Sequence, residues 1–93
     1  MQTEELMPVN EFCIYYNAEF SFVHSLHESG LIEIISVEDT LFIHKNNLHE
    51  LEKFVRLHYD MDINLEGIEA IDHLLHRINE MQLEISRLRN KLH

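Results

Sequence analysis

Five sets of side chains carry the chemistry that could act on a ligand, and the eight histidines are the most conspicuous of them. His24/His27 and His73/His76 are spaced i, i+3, which puts both rings of a pair on one helical face, where imidazoles can ligate a metal. A zinc site needs three or four ligands, and the HExxH signature is absent, because Ser25 follows His24 and Leu74 follows His73. The expectation is that no metal is bound and that these rings lie at or near the surface, where they can serve a protein interface. The carboxylate pairs Asp60/Asp62 and Glu66/Glu69 fall in a turn and at a helix start, where the macrodipole favours acids without any catalytic role. Lone Cys13 has no disulfide partner in the chain and sits on an apolar helical face, as a small buried side chain does. Gly30 and Gly67 are the only glycines, so there is no phosphate-cradling loop. Phe12, Tyr16, Phe20, Phe22 and Phe54 would stack nucleic-acid bases only with interleaved Arg or Lys, and without them they read as core. These residues point to a binding protein without enzymatic activity or cofactor.

The elements that must position these side chains follow from apolar spacing and caps. Residues 1–8 read as a flexible lead-in. Asn10 is placed to cap a first helix with Phe12, Cys13 and Tyr16 on one side and Asn17 as its stop. Phe20, Val23 and Leu26 mark a second helix, closed by Gly30 in a left-handed cap. Two helices joined by a short turn form a helix-turn-helix. Ile32–Val37 and Thr40–His44, rich in β-branched and aliphatic residues and parted by Glu38-Asp39, read as a β-hairpin wing. Asn46 or Asn47 then caps a third helix striped by Leu48, Leu51, Phe54, Val55 and His58 and ending near Tyr59. Residues 9–63 thus make a winged helix-turn-helix domain. Asn64 starts a helix through residues 64–93 that would be roughly 42 Å long, more than so small a core can cover.

A heptad repeat supplies the missing cover. Ile71, Ile78, Ile85 and Leu92 occupy a positions, and Leu74, Met81 and Leu88 occupy d positions, so the whole seam is apolar. This predicts a homodimeric coiled coil through these residues. In a parallel pair Glu84 at g would face Arg89 at e of the partner, and an antiparallel pair is the alternative.

Charge restricts what the rest of the surface can meet. The 93-residue chain carries a formal charge of −10, and residues 1–44 hold no Lys or Arg against eight acids. Counterion release from phosphates needs cations, so nucleic acid is not the expected partner and a basic protein surface is. His24, His27 and Glu28 of the second helix, with Glu33, Glu38 and Asp39 of the wing, are the partner-binding candidates. The acidic start and the lack of an 18-residue apolar run predict a cytoplasmic protein that makes no membrane contact.

Two resemblances refine this. Val9-Asn10-Glu11-Phe12-Cys13, the turn at Asn17 and Glu28-Ser29-Gly30-Leu31-Ile32 resemble the helix-turn-helix of the MerR family, winged-helix transcriptional regulators that dimerise through a coiled coil. Where that family carries an arginine and two tyrosines on the second helix, this chain has His24, Ser25 and Leu26, and the basic entry to the wing is replaced by Glu33 and aliphatic residues. Glu11-Phe12-Cys13, Val55-Arg56-Leu57-His58-Tyr59, Asp62-Ile63-Asn64-Leu65-Glu66-Gly67-Ile68 and Leu88-Arg89-Asn90-Lys91-Leu92 are, in order and spacing, similar to the CbpM chaperone-modulator family. That resemblance implies a mainly α, MerR-like winged helix-turn-helix with a small β-hairpin and a long coiled-coil helix. It also implies an adaptor that binds the J-domain of a DnaJ-like co-chaperone and inhibits its work with Hsp70. The alternative is a DNA-binding regulator in which Lys45, Lys53, Arg56 or the basic C-terminal end supply the phosphate contacts.

Overall fold

The computed structural model describes residues 5–92. Its elements run β1 (Leu6–Pro8), α1 (Val9–Tyr16), α2 (Phe20–Glu28), β2 (Ile35–Val37), β3 (Thr40–His44), α3 (Leu48–Tyr59) and α4 (Leu65–Lys91). The protein is mainly α-helical, with one small antiparallel sheet and a long C-terminal helix, as the sequence predicts.

Local chemistry sets most boundaries. Asn17 ends α1 in the left-handed region (φ 54°), and the amide of Ala18 donates to the Cys13 carbonyl at 2.9 Å. At the end of α2, Gly30 (φ 80°) donates to His27 O at 3.0 Å and Leu31 to Leu26 O at 2.9 Å, the paired bonds of a Schellman cap. The Asn64 side chain accepts from the Gly67 amide at 2.9 Å and starts α4. A single 3-10 turn, Lys45–Asn47, leads into α3.

Three boundaries differ from the sequence reading. Residues 6–8 of the lead-in are strand rather than loose chain: Leu6, Met7 and Pro8 pair antiparallel with His44, Ile43 and Phe42, giving the strand order β1-β3-β2. Leu6 is buried and Met7 packs against the core, and Pro8 is tolerated because β1 is an edge strand. Residues 1–4 of the lead-in, and His93 at the far end, lie outside the described residues. Helix α1 starts at Val9, with extended Pro8 in the cap position, so Asn10 is inside the helix and does not cap it. Strand β2 starts at Ile35 rather than Ile32, and on the segment entering it the Ile34 amide, which faces away from β3, donates to His27 Nδ1 (3.2 Å).

The core gathers one face of each element: Val9 and Phe12 of α1, Phe22, Val23 and Leu26 of α2, Ile43 of β3, Leu51, Phe54 and Val55 of α3, and Ile68 of α4. Phe20, expected in the core, is 43% exposed. It lies about 200° around α2 from Phe22, whose face is shared with Leu26, and stacks instead on His24 one turn later (5.8 Å between centroids).

Only the first turns of α4 belong to this core. At about 100° per residue, Ile68, Asp72, Leu75 and Asn79 share an arc, and Leu75, His76 and Asn79 form a shallow cleft with Glu50 and Lys53 of α3. The heptad residues fall on the neighbouring arc. Leu74, Ile78, Met81, Ile85, Leu88 and Leu92 are between 47% and 83% exposed, an uncovered apolar stripe along a helix of about 40 Å.

Candidate functional site

The six partner-binding candidates do not form one patch. His24 and Glu28 point outward from α2 and pair with each other at 3.3 Å across one helical turn. His27 is half-buried and is less a free contact than a strap: accepting from the Ile34 amide requires an unprotonated Nδ1, and the bond ties α2 to the segment entering the wing. On its other side a cleft of about 470 Å³ is lined by His27, Gly30, Leu31 and Glu33, with Asn47 and Glu50 across it.

Glu38 and Asp39 stand apart at the wing tip, as the central residues of the β2–β3 turn. Both have positive φ (49° and 65°), the conformation of a type I′ hairpin, which Asn-Gly adopts more readily than two acids. The turn therefore stores strain to hold two exposed carboxylates outward. Replacing the pair by Glu38→Asn with Asp39→Gly is expected to stabilise the fold by about 1 kcal/mol while removing two charges. Thermal denaturation reads the first effect and partner titration the second, and the two should move in opposite senses.

Asp39 also lines a cleft of about 310 Å³ with Pro8, Val9 and Asn10 at the start of α1, Phe20 of α2, and Thr40 and Leu41 of β3. Beyond it α1 presents two of the most exposed large apolar side chains of the molecule, Ile14 (81%) and Tyr15 (77%). An eight-residue helix is too short for periodicity to separate an outer apolar residue from a core one, so composition alone did not single them out. Two adjacent apolar positions after Phe12 and Cys13 were the available signal, since one helical face cannot take all four.

The cationic groups lie elsewhere. Lys53 of α3 is tied to Glu50 at 2.9 Å, and Arg56 is exposed near the Tyr16–Glu52 pair. The Glu52 carboxylate is the main cause that raises the Tyr16 phenol above its usual range. Burial raises the Cys13 thiol, which keeps it protonated and poorly nucleophilic. Among the described residues no three His, Cys, Asp or Glu side chains come together as a metal site, and the His24 and His27 ring centroids are 6.4 Å apart. No helix among them is long and apolar enough to cross a membrane.

A helix-turn-helix followed by a hairpin wing and a protruding amphipathic helix defines a winged-helix regulator-type protein. The chain belongs to the MerR HTH regulatory family: the family model described as "MerR HTH family regulatory protein" matches residues 7–90, from within β1 almost to the end of α4. No curated protein and no solved structure gives a significant match.

Proposed function

We propose that this family member binds protein rather than DNA: a non-enzymatic adaptor whose acidic winged-helix domain engages the basic face of a J-domain and inhibits that co-chaperone's work with Hsp70. One observation carries the reading. Helix α2 occupies the position that reads the major groove in a helix-turn-helix, yet Phe20–Glu28 contains no Arg or Lys, and neither does any residue before it. Phosphate contacts fix a DNA reader's register, and guanine is read chiefly by Arg or Lys; an acidic helix does neither. The same field draws in a basic protein surface and speeds its encounter. The ordered resemblance to the CbpM chaperone-modulator family supports the J-domain as that surface and a cytoplasmic site of action.

The reading includes a homodimer built on the stripe of α4, and charge favours an antiparallel pair. Glu66, Glu69 and Asp72 open the helix and Arg87, Arg89 and Lys91 close it, so antiparallel packing sets acidic ends against basic ones. It also brings Arg77 and Glu84, both at g, to matching positions on the two copies. Parallel packing would crowd six cations together.

Calorimetric titration of the full chain with an isolated J-domain of a DnaJ-like co-chaperone tests the proposal. Micromolar or tighter binding that weakens between about 50 and about 200 mM salt is expected. No heat at either salt overturns it. Steeply salt-dependent DNA binding would instead favour the regulator reading, with exposed Lys45 and Arg56 as its phosphate contacts.

A further inference from the structure

We infer that the docking site for the basic partner is the outer ridge of α1, Glu11, Ile14 and Tyr15, continued into the cleft between Asn10, Phe20 and the wing tip at Asp39, and that its occupant is a basic amphipathic helix. This rests on the protein-adaptor reading and relocates its contact surface away from most of α2. Asn10 and Ile14, and likewise Glu11 and Tyr15, are four residues apart, so the ridge runs one turn along α1 from the lip of the cleft.

Two independent observations pick this surface over the cleft beside His27. The first is apolar anchorage. Ile14 and Tyr15 are 81% and 77% exposed outside any heptad seam, whereas the apolar residues Leu31 and Ile32 of the other cleft are half-buried or buried. Tyr15 is also propped. Its ring meets Tyr16 edge-on at 4.9 Å, and Tyr16 stacks on buried Phe12 at 4.5 Å. A large exposed ring held by a chain of contacts into the core has little entropy left to lose on binding, the property of an interface hot spot.

The second is charge. Every formally charged residue on β1, α1, α2 and the wing is an acid, with Glu11 on the ridge, Glu19 in the turn after α1, and Glu38 and Asp39 at the wing tip. A second copy of this chain would bring the same charges against them and is repelled; its place is the stripe of α4. An apolar strip rimmed by carboxylates fits a helix with apolar residues on one face and Lys or Arg along its flanks.

The test titrates the full-length protein and its I14S/Y15S variant with two probes, the isolated J-domain and a synthetic helical peptide of Lys and Leu at amphipathic spacing. Both substituted side chains are exposed, so circular dichroism and melting should be unchanged. A tenfold or greater loss of affinity for both probes in I14S/Y15S supports the site. Ridge-dependent binding of the peptide without J-domain binding supports the site and overturns the J-domain reading. J-domain binding that I14S/Y15S leaves intact overturns the ridge and keeps the J-domain reading, with the Glu33 cleft as the next surface. No binding of either probe overturns both.

Discussion

Ile78→Asp is expected to convert the protein from dimer to monomer at micromolar concentration, with the winged-helix domain still folded. Ile78 lies near the middle of the apolar stripe, is 47% exposed on a single copy, and packs against nothing in its own domain's core. In a two-stranded seam the substitution places a carboxylate in the packed layers twice, once from each chain, with no cation at the facing a or d positions. Burying two unpaired carboxylates costs several kcal/mol, and about 4 kcal/mol already weakens association roughly a thousandfold. Sedimentation equilibrium reads the shift directly, and an unchanged dimer constant would remove α4 as the seam. Salt supplies the orientation. An antiparallel dimer, the pairing proposed above, should weaken as salt screens its acidic-to-basic contacts, whereas a parallel one, relieved of repulsion among Arg87, Arg89 and Lys91, should tighten.

The elements that were legible in the sequence are those set by one residue or by a long repeat. Asn17, Gly30 and Asn64 end or begin helices through their own backbone preference or side-chain acceptor, so a local pattern is enough. Glu38-Asp39 parted two β-branched runs, and a heptad sustained from Ile71 to Leu92 is hard to produce otherwise. What escaped depended on contacts distant in sequence. Strand β1 exists because β3, more than thirty residues away, offers a free edge to Leu6–Pro8. The segment entering β2 is likewise fixed from α2, by the His27 imidazole that accepts the Ile34 amide.

The candidate surface was legible in its sign and not in its place. A cation-free first half needed only counting, but charge has no direction along a sequence, and the six candidates it suggested separate between α2, the cleft beside His27 and the wing tip. Ile14 and Tyr15 were hidden by adjacency. Over the eight residues of α1 the buried positions are Val9 and Phe12, with Cys13 and Tyr16 partly covered, and only the packed domain decides which of the remaining apolar residues face out.

The core beneath that ridge sets the other large effect. Phe12→Ala should destabilise the winged-helix domain by about 3–5 kcal/mol, most of the margin such a small domain has. Phe12 is fully buried, and its ring carries the stack on which Tyr16, and through it Tyr15, is held. An isolated eight-residue helix does not persist in water, so α1 is helical because Val9 and Phe12 pin it to α2, β3 and α3. Removing the larger anchor releases the whole ridge, and with it the surface inferred to dock the basic partner. The long helix responds differently. Beyond its first turns α4 has no core contact to lose, so the seam from Leu74 onward should keep two copies together after their winged helices have melted. Thermal denaturation followed by hydrogen exchange separates the two: amides of α1 to α3 should lose protection together in Phe12→Ala, while those around Ile78 to Leu88 keep theirs at a concentration that maintains the dimer. Simultaneous loss in both regions would mean that the dimer is held through the winged helices rather than through α4, and would contradict the division of labour between an acidic docking domain and a helix that pairs it.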